Sequence, residues 1–161
     1  MRNIKTPRLT NKYGFTLIEL VVVFSIMAVL ATVGVASFVS YSRQQTLQQA
    51  ANDLVATLNS AKAKAVSQVK PVPCVTALKG LGAYRVQILA NSYRLDAICS
   101  GTTYTITTTP LPGGVTFDSS TTISAVSFSV ISGGITGSGI IVLREGVLTK
   151  TITVTQGGLI E

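Results

Sequence analysis

The chain has 161 residues, a formal net charge of +7, no histidine and a mean hydropathy of +0.49. This length accommodates one modest domain beside an N-terminal segment, and the lack of histidine removes the commonest general base and a leading metal ligand. The charge does not indicate a nucleic-acid-binding protein, because four of the thirteen basic residues lie in residues 1–14, which contain no acid. Basic residues in that position are typical of the cytoplasmic side of a membrane segment.

An almost unbroken apolar run follows this basic leader, from Phe15 to Val39. As a helix the run is about 37 Å long, against about 30 Å for the hydrocarbon core of a bilayer. We therefore predict that 15–39 is a single transmembrane helix with a cytoplasmic N-terminus and an exported C-terminal part. The alternative is a cleavable secretory signal, which has an apolar core of about 7 to 15 residues and a small-x-small cleavage site. No clear site of that kind follows the run.

One acid, Glu19, lies inside the apolar run. An ionised carboxylate in a membrane helix costs roughly 2.5 to 3.5 kcal/mol, so it requires a partner. The nearest candidate is the α-amino group that a cut between Gly14 and Phe15 would create on a neighbouring copy of the chain. A lone membrane-anchored binding domain that never polymerises remains an alternative, but it leaves Glu19 without a role.

The helical pattern continues beyond the membrane run. Apolar residues recur at spacings of three and four, which predicts an amphipathic helix over 40–70. This stripe consists of Leu47, Ala51, Leu54, Leu58, Ala61 and Ala65. We expect the helix to run to about Val69 and to end because of Pro71 and Pro73.

From residue 71 to 161 the sequence shows short β patterns separated by turn residues. Residues 84–88 and 93–97 alternate apolar and polar side chains around an expected turn at Asn91 and Ser92, which predicts a hairpin. Further strands are predicted over 103–108, 125–131, 139–143 and 148–154. The fold class is therefore α+β, with a long N-terminal helix whose second half packs on a C-terminal antiparallel sheet domain.

Cys74 and Cys99 are the two cysteines of the chain, and both lie in the region predicted to be exported. An even number of cysteines in an oxidising compartment predicts one disulfide, worth about 2 to 4 kcal/mol. Two buried free thiols or a reactive pair remain alternatives, because spacing alone does not establish geometry.

We find no catalytic motif and predict neither enzymatic activity nor a metal or other cofactor, because a catalyst requires a positioned acid, base or nucleophile. The acids beyond the apolar run show no motif and are interpreted as solvated surface groups. They are Asp53, Asp96, Asp118, Glu145 and Glu161.

The N-terminal sequence GFTLIEL, with basic residues before it and an apolar run after it, resembles the type IV prepilin signature. The resemblance implies cleavage after Gly14 by the prepilin peptidase, methylation of the new amine of Phe15, and pairing of Glu19 with that amine on an adjacent subunit. It implies a subunit that occupies the bacterial inner membrane before assembly and then enters a pilus or pseudopilus. The implied partners are other pilin or pseudopilin subunits, the peptidase, the lipid bilayer and the inner-membrane assembly platform.

Residues 50–66 and the end of the chain, Ile152 to Gly158, resemble the GspH/FimT family of minor pilins and type II secretion pseudopilins. This resemblance implies a structural subunit that serves either pilus biogenesis or type II secretion. Because some FimT-like pilins take up DNA, DNA is an alternative partner, for which clustered basic residues are required. The candidates are Lys62, Lys64, Lys70, Lys79, Arg85 and Arg94.

Overall fold

The computed structural model describes residues 14–130 and 134–161, with residues 32–34 and 36 described by backbone only. The leader 1–13 and the end of the strand predicted over 125–131 lie outside the described residues. The chain divides into two compact units, Met1–Ser40 and Tyr41–Glu161. Its helices are α1 (Leu17–Val66) and α2 (Val72–Thr76), and its strands are β1 (Leu81–Ile88), β2 (Ser92–Cys99), β3 (Thr102–Pro110), β4 (Val115–Phe117), β5 (Ala125–Ser129), β6 (Ile135–Thr136), β7 (Gly139–Glu145) and β8 (Leu148–Val154).

The first unit contains the N-terminal part of α1. Its large apolar side chains are exposed along the whole described stretch, from Leu17 to Val39. Among the described residues, no helix has the combination of length and apolarity that a membrane crossing demands.

In the second unit, the remainder of α1 supplies one side of the hydrophobic core. All six residues of the predicted apolar stripe are buried, and so is Ala50 beside them. They share a single core cluster with the inward side chains of the strands. The helical spacing of three and four therefore places these residues against the sheets, as the sequence pattern predicts.

The predicted C-terminus of α1 is wrong, both in position and in cause. The helix ends at Val66, because Gln68 adopts a left-handed conformation with φ of 52°. The N–H groups of Gln68 and Val69 then bond to the carbonyls of Ala65 and Lys64, which closes the last turn as a Schellman motif does. A glycine usually occupies this position, so a glutamine there carries no sequence signal for the end of a helix.

The two prolines expected to end α1 instead begin α2. Pro71 occupies the N-cap of this short helix, and Pro73 lies in its first turn. Proline suits that turn because its fixed φ matches the helix and the N–H that it lacks would have had no helical partner.

The strands form two antiparallel sheets. The larger sheet has the order β3-β2-β1-β5-β6 and the smaller one the order β4-β7-β8. The α+β fold class is confirmed, and β8 has the predicted bounds. The short strands β4 and β6 and the helix α2 were not predicted, because elements of two to five residues are too short to show a period.

The hairpin of β1 and β2 exists, but its turn differs from the predicted one. Ser92 already belongs to β2, and the N–H of Leu89 bonds to its carbonyl oxygen at 2.9 Å. In the resulting register Arg85 lies opposite Asp96, and Gln87 lies opposite Arg94.

After β8 the chain turns back and pairs with the end of that strand. Ile160 forms a bridge with Val154. Gly158 makes the turn with φ of +80°, and a side chain there would approach Ile135 Cδ1 to 2.7 Å. The ammonium group of Lys62 donates a 2.8 Å hydrogen bond to the Gly158 carbonyl, which ties this turn to α1.

Candidate functional site

The predicted processing site lies just before α1. Gly14 and Phe15 precede the helix, and Phe15 is 83% exposed. A Cβ atom built on Gly14 meets no atom within 4 Å. A larger side chain would therefore fit at position 14 in the folded chain, so packing does not explain why this residue is a glycine.

Thr16 begins the helix as its N-cap. Its hydroxyl oxygen accepts a hydrogen bond from the Glu19 N–H at 3.3 Å. This arrangement, with threonine at the cap and glutamate three residues later, is the sequence pattern of a capping box. The sequence TLIE, residues 16–19, therefore contains a signal for the start of the helix that was not among the predictions.

The side chain of Glu19 is exposed in the first turn of α1. A carboxylate there interacts favourably with the positive end of the helix dipole. No ion pair joins it to any residue of the described part of the chain.

Cys74 and Cys99 are bonded to each other, with their Cα atoms 5.6 Å apart and both side chains fully buried. Cys74 belongs to α2, and Cys99 is the last residue of β2. The bond therefore fastens α2 to the larger sheet.

The interpretation of Asp96 as a solvated acid is wrong, because its side chain is fully buried. Arg85 donates a 3.0 Å hydrogen bond to Oδ2 of Asp96. Arg94 Nε lies 2.9 Å from Oδ1, without the alignment of a hydrogen bond, so this contact is an ion pair alone. Arg94 also donates to the side-chain oxygen of Gln87 at 2.6 Å.

Four of the six candidate DNA-binding side chains take part in internal contacts. Arg85 and Arg94 pair with Asp96, and Lys62 bonds to Gly158. Lys79 donates a 2.8 Å hydrogen bond to the Thr102 hydroxyl and lies 5.8 Å from the centre of the Tyr104 ring. The six residues therefore do not form a common open cluster for a phosphate backbone.

In the described part of the chain, no three histidine, cysteine or acidic side chains lie close enough to hold a metal ion. The side chains that the structure brings together are a disulfide and ion pairs, all of them within the second unit. The groups of interest are thus the N-terminal segment and the surface of the second unit.

Two family models match the chain. Residues 9–35 match the prokaryotic N-terminal methylation motif, and residues 50–158 match the type II transport protein GspH. The second match covers more than half of the chain. Proteins of these two groups are structural subunits without enzymatic activity. Neither the curated proteins nor the solved structures include one that matches the chain.

Proposed function

Since the chain belongs to the family of the type II transport protein GspH and carries the N-terminal methylation motif, we propose that it is a processed subunit of a type IV filament. It is a pilin or pseudopilin, and the filament is either a pilus or a type II secretion pseudopilus. The observation that carries the proposal is the motif match over 9–35, which includes Gly14, Phe15 and Glu19.

In this proposal, the subunit is first inserted into the inner membrane. The apolar run 15–39 anchors it there, with the leader in the cytoplasm and the second unit exported. Prepilin peptidase removes residues 1–14 and methylates the amine of Phe15. The exposure of Phe15 and the open space around Gly14 support this step, because a protease needs close access to an extended backbone.

Assembly follows through the N-terminal half of α1. Its exposed apolar side chains supply the surface on which neighbouring helices pack at the inner-membrane assembly platform. Glu19 pairs with the methylated amine of Phe15 on the adjacent subunit. A cation at that place compensates the cost of an acid among apolar groups.

The Cys74–Cys99 bond belongs to the exported unit in this proposal, where an oxidising compartment maintains it. A DNA-binding role receives no support from the geometry, because most of the candidate basic side chains already have internal partners.

The role of Glu19 is tested by co-purification of the subunit with its filament. Glu19→Ala removes the acid and its desolvation cost, so the subunit inserts into the membrane at least as well as before. Its incorporation into filaments falls at least about tenfold, because truncation of one partner of a buried charge pair costs about 2 to 5 kcal/mol. Glu19→Gln keeps the shape but loses the charge, and we expect it to be intermediate or equally defective.

The matched control is Asp53→Ala, which removes an exposed acid from the amphipathic part of the same helix. All variants are compared at equal membrane levels. Equal incorporation of the wild type and both Glu19 variants would show that Glu19 does not direct assembly, and the lone-anchor alternative would then be the better account.

A further inference from the structure

The junction between α1 and β1 carries an exposed apolar surface that the filament role does not explain. It consists of Val69, Val72, Val75 and Leu78, which we call the α2 surface. Leu78 is 92% exposed and Val72 is 73% exposed. Val72 and Val75 are three residues apart on α2 and so share one face of it.

The α2 surface borders a cavity of about 400 Å³. Val69, Val72 and the two prolines of α2 line one side of the cavity, and Thr105 and Ile106 of β3 line the other. Tyr84 also lines it, and its hydroxyl donates a 2.7 Å hydrogen bond to the Val69 carbonyl. Burial raises the pKa of this tyrosine above its usual value. The cavity is large enough to receive an apolar side chain from a partner.

The surroundings of this surface are positively charged. The sequence contains no acid between Asp53 and Asp96. Lys64 lines the cavity, Lys70 lies between two residues that line it, and Lys79 follows Leu78. None of these three lysines forms an ion pair within residues 14–130 and 134–161.

A disulfide and a backbone hydrogen bond fix the position of the α2 surface on the larger sheet. The bond between Cys74 and Cys99 fixes α2 to β2, and the N–H of Lys79 bonds to the Cys74 carbonyl at 3.0 Å. A surface that is already ordered loses little conformational entropy when a partner binds.

We propose that the α2 surface is a docking site for an extended, acidic and apolar segment of another protein. An apolar side chain of that segment enters the cavity, and its carboxylates meet Lys64 and Lys70. The segment lies along β3, which is the edge strand of the larger sheet and pairs with β2 alone among the described strands. An edge strand of this kind can hydrogen-bond to an added strand.

A second copy of this chain does not fit the site. Its six acids are scattered, so no stretch of the chain carries two of them close together. Two of the six, Asp96 and Asp118, are already paired with arginines. The partner must therefore be a different protein. This proposal goes beyond the filament role, because it concerns binding by the exported unit and does not require assembly.

The test measures peptide binding by the full-length protein in nanodiscs of zwitterionic lipid, with fluorescence anisotropy as the readout. The probe is a labelled peptide in which leucine alternates with aspartate. Two matched peptides replace aspartate by lysine or leucine by serine. We expect binding of the first peptide and at least about tenfold weaker binding of each matched peptide, because each lacks one of the two complementary features.

The double change Val72→Ser with Leu78→Ser is expected to weaken binding of the acidic apolar peptide at least about tenfold, since it removes exposed apolar area without altering the core. Lys64→Gln with Lys70→Gln is expected to weaken it several-fold at low salt and less at high salt. The controls are Val147→Ser, at the 97% exposed tip of the hairpin of β7 and β8, and Lys150→Gln on β8. Neither control should change binding.

Equal binding of the three peptides would overturn the proposal, as would a double variant that binds like the wild type. Vesicles of phosphatidylglycerol and a DNA duplex are measured against the same variants. Tighter binding of either ligand than of the peptide, lost in the α2-surface variants, would reassign the surface to a membrane or to nucleic acid. The outcome is independent of the Glu19 experiment, because peptide binding needs neither processing nor a filament.

Discussion

The apolar side chains of the two halves of α1 have opposite environments. In the first unit Leu30 is 67% exposed, whereas in the second unit Leu54 and Leu58 are completely buried. The second half obtains its apolar contacts from the strands of its own unit. The first half has no such cover in the described structure, and in the proposed filament its contacts come from lipid or from other subunits.

Two acids show the same contrast. Asp96 is buried in the larger sheet with Arg85 and Arg94 beside it, so its charge is compensated within the chain. Glu19 has no ion-pair partner among the described residues. The charge of Asp96 is thus compensated within one chain, whereas the proposed partner of Glu19 lies on a neighbouring subunit. Substitutions in the second unit should therefore change the free energy of unfolding, whereas substitutions in the first unit should change incorporation into filaments.

The largest effect is expected at Gly14. Gly14→Trp should block processing almost completely, and with it assembly, while the fold of the exported unit stays unchanged. A Cβ atom at Gly14 meets nothing within 4 Å, so a defect would arise in recognition by the peptidase and not from a clash within the chain. Intact-mass analysis should show a methylated Phe15 as the N-terminus of the wild type and an uncleaved chain for the variant.

Gly113→Trp is the matched control, because this exposed glycine also has open space around it. It should be processed normally. A mature N-terminus beyond Val39 would contradict the prediction and favour a secretory signal.

The next prediction compares one leucine from each half of α1. Leu54→Ala should lower the free energy of unfolding of the exported unit by about 2 to 5 kcal/mol, because it leaves a cavity in the core. Leu30→Ala should leave that free energy unchanged and reduce incorporation into filaments. Urea titrations of full-length protein in detergent measure the first quantity, and co-purification with filaments measures the second. Equal destabilisation by both changes would mean that the two halves do not differ as described.

Patterns that repeat over many residues could be predicted from the sequence. The buried stripe of α1 extends over five turns, so its period is visible, and the fold class follows from it and from the alternating strands. The N-terminal motif is also local, because Gly14, Phe15 and Glu19 are close in sequence.

Features that depend on a single turn could not be predicted. The left-handed Gln68 ends α1 without the usual glycine. The ion pair of Asp96 with Arg85 depends on the register of β1 and β2, because only the observed register places Arg85 opposite the acid. With the expected turn at Asn91 and Ser92, these two residues would not face each other, so the sequence pattern does not predict the ion pair that compensates the buried acid.

The disulfide provides a smaller effect that is confined to the exported unit. Replacement of Cys74 and Cys99 by serine should lower the free energy of unfolding by about 2 to 4 kcal/mol, because the unfolded chain gains freedom. Membrane insertion should not change, since the proposed anchor is in the other unit. Urea titration of the wild type under reducing conditions should match the double variant, and free thiols at both positions in protein from the native envelope would refute the bond.

The smallest effect concerns Asp118 and the pH dependence of stability. The hydroxyl and the N–H of Ser120 donate hydrogen bonds of 2.7 and 2.9 Å to Asp118 Oδ1, and Arg144 donates one of 3.1 Å to Oδ2. The Ser120 bonds, and secondarily the Arg144 guanidinium, hold the pKa of Asp118 below its usual value. Because the folded protein binds this proton less readily than the unfolded chain, the carboxylate stabilises the fold at pH values above the unfolded pKa of about 3.9. This contribution is lost as the pH falls through the lower, folded pKa.

Asp118→Asn should therefore reduce stability slightly at pH 7, and the difference from the wild type should shrink as the pH is lowered from about 4 towards 2. The loss is small because the amide oxygen of the substituted side chain still accepts the bonds from Ser120 and because the pair with Arg144 is solvent-exposed and screened. Urea titrations of both proteins at pH 7, 4 and 3 measure the difference, with Asp53→Asn as the control for an exposed acid that forms no ion pair with the described residues. A difference that grows on acidification would mean that Asp118 favours the folded state in its protonated form, contrary to the hydrogen bonds that it accepts.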